Sequence, residues 1–409
     1  MSDVILYSLS SLKYNFVDFQ ILGSKSITQR ALMINALMNS NEKISNLSNS
    51  SDTVVLKKAL ELSNKTVNVS NSGTALRFLI SFFACKNKEV LIHGDEYLFT
   101  RPIRQLIQML NSIGANVTLR KNSVIIKKGC LTGGDIYIDS LKTSQFVSSL
   151  LLISPYLKDG LRLHLPEKVY SYSYINMTTS MLLMCGVRLN CSDNIINIEE
   201  GPYQKPFLSI ESDWSSASYL YLAFLLSKLD EVRITSFSQH SIQGDCQVLD
   251  FFSLLGVKTR FQGDDLLLTK NEHHVSPIKI EWNFSQSPDL CPTIFVACFA
   301  LGVELKAIGL KNLQYKESDR VLSMKAELEK FNCRVDVVSD DVVSIDSRKR
   351  INPGKLICVE TYNDHRIALA FSPLALIGFK LKIKNSNVIK KSYPNFFNDL
   401  IKFGVVIEN

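Results

Sequence analysis

Five segments of this 409-residue chain place a cation where a helix reads as beginning. They are Gly23-Ser24-Lys25-Ser26 running on to Arg30, Asn71-Ser72-Gly73-Thr74 running on to Arg77, and Arg101-Pro102-Ile103. The last two are Lys316-Glu317-Ser318-Asp319-Arg320 and Asn363-Asp364-His365-Arg366. Each has a small or polar cap residue, or a proline suited to the first helical position, with an apolar run behind it. A helix N-terminus carries unpaired N–H groups and about half a positive charge, so a cation there costs about a few tenths of a kcal/mol. Five such placements predict that an outside anion supplies the missing negative charge, a phosphate or a carboxylate.

Other polar residues fit the same ligand class. Thr143-Ser144-Gln145 precedes an apolar helix and offers two hydroxyls and an amide, although alone it reads most simply as an N-cap. Ser171 and Tyr174 add hydroxyls. Asp289 follows Pro288 and also reads as a cap, Glu317 as an ion-pair partner, and His365 as a lone histidine without a catalytic assignment. No metal-ligand spacing is present, and neither glycine-rich nucleotide signature occurs. No cofactor is expected.

The elements that must position these residues recur. Amphipathic helices end at Gly114, Gly186, Gly256, Asn332 and Gly404, separated by 72, 70, 76 and 72 residues. Glycine and asparagine suit the left-handed turn just past a helix. An alternating strand follows each, and after four of them a second strand, near residues 123–127, 194–198, 266–269 and 342–345. A sixth, irregular copy ends near residues 62–69. Six α/β modules most simply make two three-module domains, with the crossing at residues 210–219.

The totals agree with two soluble domains. The chain is 46% hydrophobic and 21% charged, with a formal charge of +7 and no basic block of the nucleic-acid type. Nine dispersed cysteines without a C-x-x-C pair argue for a reducing compartment, and Cys185, Cys298 and Cys358 read as small core residues. The start Met1-Ser2-Asp3 has no signal-peptide pattern. The longest apolar stretch, Ile367 to Phe379, is broken by Ser372 and Pro373 and is too short for a bilayer. The expectation is a cytoplasmic monomer with small-molecule substrates and neither nucleic acid nor membrane as partner.

Along nearly its whole length the chain resembles the 3-phosphoshikimate 1-carboxyvinyltransferase (5-enolpyruvylshikimate-3-phosphate synthase) family. The carrying segments, in order, are those around Lys25, Gly73, Arg101 and Thr143, then Ser215-Ser216-Ala217-Ser218-Tyr219, Pro288-Asp289, Lys316 to Arg320, Thr361 to Arg366, and Lys391-Ser392-Tyr393-Pro394. The resemblance implies an α/β, inside-out barrel fold of the enolpyruvyl transferase type, with the active site in the interdomain cleft. Residues 15–211 would form the domain that binds shikimate 3-phosphate; residues 1–14 plus 212–409 would form the second.

The implied reaction moves the enolpyruvyl group of phosphoenolpyruvate to the 5-hydroxyl of shikimate 3-phosphate and releases phosphate. Carried onto matching positions, Lys25, Gly73, Arg101, Arg320, Arg366 and Lys391 would hold phosphoenolpyruvate. Lys25, Ser26, Arg30, Thr143, Ser144, Gln145, Ser171, Tyr174, Asp289, Asn312 and Lys316 would face shikimate 3-phosphate. Asp289 would be the base toward the hydroxyl, with Glu317 and Lys25 handling the methylene proton.

Three positions depart from the family pattern. Thr143 replaces a serine, Ser70 a glycine and Phe78 a proline, the last bearing on the response to glyphosate, the family's inhibitor. Two alternatives remain: the related transferase acting on UDP-N-acetylglucosamine, and a non-catalytic anion-binding protein on the same scaffold. The first typically has a cysteine shortly before its Arg-Pro motif, and residues 94–100 contain none.

Overall fold

The computed structural model describes residues 3–8, 16–61, 65–350 and 354–408. These fall into two compact units, one of Gly23–Ile210 and one of Met1–Leu22 with Glu211–Asn409. The sequence places the crossings near 14/15 and 211/212. The first differs because the strand Phe16–Gln20 pairs in parallel with Glu231–Thr235 and so stays with the second unit. The unit Gly23–Ile210 is thereby inserted between that strand and the helix Trp214–Leu226.

All five helix stoppers adopt the left-handed conformation, with φ of 93° at Gly114, 84° at Gly186, 88° at Gly256, 58° at Asn332 and 101° at Gly404. At Gly114 a Cβ would also stand 2.0 Å from the carbonyl oxygen of Cys130, so no other residue fits. The strands expected behind the stoppers are Asn116–Leu119 with Ser123–Lys127, Leu189–Ser192 with Ile195–Ile198, Val257–Gln262 with Asp265–Lys270, and Arg334–Val337 with Val342–Asp346.

Four of the modules fold into one pattern. A strand, a helix and a second strand form a parallel pair; a further helix leads to a hairpin whose second strand joins the sheet antiparallel. Among the described residues this makes two four-stranded sheets in the inserted unit and three in the other. The last module ends at Val405–Glu408, and its fourth strand is Val4–Ser8, paired antiparallel with both Lys380–Ile383 and Val405–Glu408. Among the described residues the sixth copy shows only a bridge between Ser45 and Ser209; residues 62–64, part of the segment 62–69 near which it was expected to end, lie outside the described residues.

The first helix of each module is largely buried. In the unit containing the C-terminus, Trp214–Leu226, Cys291–Leu301 and His365–Phe371 pack on one another inside a core that includes Phe224, Phe299 and Phe331. In the inserted unit, Lys25–Met38, Gly73–Cys85 and Ser144–Ile153 do the same. Cys185 and Cys298 are buried as expected, whereas Cys358 is only half-buried because its strand, Leu356–Val359, lies at a sheet edge.

Candidate active site

In the inserted unit, the side chain of Ser24 caps the first helix and Ser72 the second, each accepting from the N–H three residues on. Thr143 caps the third by accepting from the Gln145 N–H at 3.3 Å. The plain cap expected of Thr143 is therefore present, and it fixes the segment that carries Ser144 and Gln145. Gln145 links two of the helices: its amide nitrogen donates to Thr74 Oγ1 at 3.1 Å, and its Oε1 accepts from Arg77 Nη1 at 2.6 Å. Arg77 also donates twice to the carbonyl of Pro102.

That contact explains one departure from expectation. Pro102 is not the first residue of a helix. The helix runs Arg104–Ser112, and Arg101-Pro102 forms the bend before it. The bend lays the Arg101 guanidinium across Gly73, where a Cβ would meet Arg101 Nη1 at 2.9 Å and Arg77 Nη1 at 3.0 Å. Among the described residues, Arg101 Nε is buried with no hydrogen-bond acceptor. A buried cationic donor without an acceptor is costly unless a ligand supplies one.

Arg30 presents a second buried cation. It is 2% exposed and donates to Thr178 Oγ1 at 2.7 Å, Ser148 Oγ at 3.0 Å and the carbonyls of Ser26 and Tyr174. All four acceptors are neutral, and its guanidinium lies over the rings of Phe78 and Tyr174. Burial lowers its pKa to about 10, so it remains charged at neutral pH. Lys25 stands 3.8 Å from Asp52 Oδ2. Ser171 is buried at φ 60°, a left-handed conformation, just before the helix Tyr172–Met184, and its carbonyl accepts from the Tyr174 N–H.

The other unit holds a denser ionic cluster. Asp289 does not cap its helix. Its Oδ1 accepts from Arg320 Nη1 at 3.0 Å and Lys316 Nζ at 3.3 Å, and its Oδ2 from Arg366 Nη2 at 2.7 Å. Arg320, 1% exposed, also pairs with Glu317 Oε2 at 3.0 Å and with Asp364 Oδ2 at 2.9 Å. Lys391 Nζ is 3.9 Å from Glu317 Oε1. Asn312 is buried in the turn Lys311–Tyr315. His365 is 1% exposed, behind Asp364.

The electrostatics follow from burial and these partners. Burial alone would lower the Arg320 pKa, but Asp364, Asp289 and Glu317 overturn it and push the value up. Burial lowers the Lys316 pKa, and Asp289 only partly offsets this. Burial, followed by the neighbouring Asp289 charge, raises the Asp245 carboxyl to about 7. Four cations, Lys316, Arg320, Arg366 and Lys391, face three carboxylates, Asp289, Glu317 and Asp364. With the first turns of Trp214–Leu226 and His365–Phe371 meeting at Ser215 and Arg366, the cluster is suited to one further anion.

Residues 55–400 match the family model described as EPSP synthase (3-phosphoshikimate 1-carboxyvinyltransferase). The chain belongs to the EPSP synthase family. It is 35% identical to the 3-phosphoshikimate 1-carboxyvinyltransferase of Bacteroides fragilis (strain YCH46), covering 98% of each chain. It is 31% identical to the enzyme of that name from Buchnera aphidicola subsp. Baizongia pistaciae, covering 92% of this chain and 94% of that one. The fold is also that of an EPSP synthase from Acinetobacter baumannii, with a TM-score of 0.75 at 19% identity over 99% of this chain and all of that one. The enolpyruvyl transferase NikO from Streptomyces tendae gives a TM-score of 0.75 at 15% identity over 99% and 98% of the two chains. The inside-out α/β architecture expected of the family is the one present.

Among the expected site residues, Ser26, Arg30 and Tyr174 share one hydrogen-bond cluster. Thr143, Gln145, Gly73 and Arg101 gather round Arg77. Asp289, Lys316, Glu317, Arg320, Arg366 and Lys391 form a single ionic network. Sequence reasoning gave no role to the residues that hold these in place. Asp364 was visible only as a cap, yet it is fully buried against Arg320. Ser215 and Tyr219 hold Arg366, and Asp245 accepts from Ser215. Nothing in the spacing around Gln243-Gly244-Asp245 marks that carboxylate.

Proposed function

We propose that the protein transfers the enolpyruvyl group of phosphoenolpyruvate to the 5-hydroxyl of shikimate 3-phosphate, the step of the shikimate pathway that leads to chorismate and the aromatic amino acids. Asp289 among Lys316, Arg320 and Arg366 is the observation that carries the reading: one carboxylate able to take a proton, inside cations able to hold a phosphate and a carboxylate.

In this reading Lys25, Gly73, Arg101, Arg320, Arg366 and Lys391 hold phosphoenolpyruvate. Lys25, Ser26, Arg30, Thr143, Ser144, Gln145, Ser171, Tyr174, Asn312, Lys316 and Asp289 face shikimate 3-phosphate. Asp289 takes the proton of the 5-hydroxyl as its oxygen attacks C2 of the enol, while Glu317 or Lys25 delivers a proton to the methylene carbon. The tetrahedral adduct then loses that carbon's proton and the phosphate, restoring the double bond in the product. The donor's own anions compete for the N–H groups now held by Asp289, so binding frees that carboxylate for its role as base.

The expected setting is a cytoplasmic monomer without a cofactor. Among the described residues no helix is long and apolar enough to cross a membrane. Inorganic phosphate release from phosphoenolpyruvate with shikimate 3-phosphate, against a parallel reaction with UDP-N-acetylglucosamine, tests the reading. Release only with the former is expected. Release only with the sugar nucleotide, or with neither from folded protein, overturns it.

A further inference from the structure

The chain enters the helix His365–Phe371 through a turn in which the Asp364 N–H donates to the Thr361 carbonyl at 2.7 Å. Both central residues, Tyr362 at φ 52° and Asn363 at φ 56°, are left-handed. Asparagine tolerates that conformation, but a bulky tyrosine does not adopt it without help from its surroundings. The help comes from Glu327. This fully buried carboxylate accepts from Tyr362 Oη at 2.7 Å through Oε1 and from the Glu360 N–H at 3.1 Å through Oε2. Lys330 Nζ balances its charge at 2.8 and 2.7 Å and reaches the Cys358 carbonyl at 2.9 Å. On the other side, Asn363 Oδ1 accepts from Asn385 Nδ2 at 2.8 Å.

Glu327 and Arg320 lie seven residues apart on the helix Arg320–Glu329, two turns along the same face. That face therefore grips the turn twice, through Glu327 on Tyr362 and through Arg320 on Asp364. Asp364 in turn accepts from the Arg366 N–H at 2.9 Å and sets the start of the helix that carries the Arg366 guanidinium. We infer that Tyr362 and Glu327 are positioning residues: by holding the left-handed turn Thr361–Asp364 against the helix Arg320–Glu329, they fix Arg320 and Arg366 in the geometry that receives the donor's phosphate and carboxylate. This rests on the reading of those two arginines as donor-binding, given above.

Tyr362→Phe removes one hydroxyl and leaves the ring. The KM for phosphoenolpyruvate should rise about tenfold while that for shikimate 3-phosphate stays within about twofold. Amide hydrogen exchange should quicken in residues 361–366 and stay unchanged in the helix Cys291–Leu301. In combination with Glu327→Gln, which leaves an acceptor but removes the charge from it, the two effects on KM should be less than additive, since both substitutions weaken the same Tyr362–Glu327 contact. Equal changes in both KM values, additive effects, or unchanged exchange at 361–366 each overturn the inference. If the unsubstituted protein releases no phosphate, the functional reading fails instead. The exchange comparison still decides whether Tyr362 holds the turn.

Discussion

One guanidinium reads two faces of one residue: Arg366 donates to the Asp289 carboxylate at 2.7 Å and to the Asp289 carbonyl at 3.3 Å. The helix His365–Phe371 is thereby tied to the turn that begins Cys291–Leu301, and the carboxylate can hardly move independently of the arginine. Asp289→Asn keeps the shape and one acceptor but removes the charge. As the base toward the hydroxyl, Asp289 should be worth about 10²–10⁴ in kcat, and single-turnover phosphate release will measure it. Near-normal turnover in this variant would remove Asp289 from the role.

Arg101 offers a test in which stability and function move in opposite directions. Its Nε is buried without an acceptor, a destabilising arrangement of about 1–3 kcal/mol that a bound anion relieves. Arg101→Met should therefore leave the melting temperature equal or higher, while the KM for phosphoenolpyruvate rises by about two orders of magnitude. A loss of stability would show that Arg101 is held by the fold rather than waiting for a ligand. Calorimetry on both proteins, with and without phosphoenolpyruvate, distinguishes the cases.

Gly73 leads to a related prediction through space rather than charge. Its Cβ position is 2.9 Å from Arg101 Nη1 and 3.0 Å from Arg77 Nη1. Arg77 is pinned by Pro102 and Gln145, so in Gly73→Ala it is Arg101 that gives way. Activity should fall at least tenfold through the donor's KM, with stability changed by less than about 1 kcal/mol. If the acceptor's KM changes instead, the methyl group has displaced Gln145 rather than Arg101.

The rhythm of the fold was legible because it is written in local chemistry. A residue able to turn left-handed must follow each helix, and Gly114, Gly186, Gly256, Asn332 and Gly404 all do so. The cap residues Ser24, Ser72, Thr143, Asp319 and Asp364 were legible for the same reason. Pro102 misled because the carbonyl it exposes is taken by Arg77, a contact 25 residues away that redirects the chain. The parallel pairing of Phe16–Gln20 with Glu231–Thr235 spans the whole inserted unit, and no periodicity reports it. Asp245 and Glu327 stayed hidden because a buried carboxylate is defined by its surroundings, and both sit in sequence among ordinary polar neighbours.

Asp245 carries the clearest pH dependence. It is 4% exposed, accepts from Ser215, and has a second oxygen, Oδ1, without a partner among the described residues. Burial and the Asp289 charge raise its pKa to about 7, against 3.8 as the ordinary value. Arg366 opposes the shift, and Asp213 adds to it. The native state thus binds a proton that the unfolded chain releases at lower pH. Its contribution to stability is fully present below about pH 4 and is lost as the pH rises through about 7, by an amount on the order of 4 kcal/mol. Asp245→Asn, which cannot ionise, should flatten this part of the stability profile and be most stabilising, relative to the parent, above pH 7. Urea unfolding at pH 5 and pH 8 measures the difference directly. Parallel profiles for the two proteins would mean that Asp245 is ionised throughout, its charge held by Arg366 through Ser215.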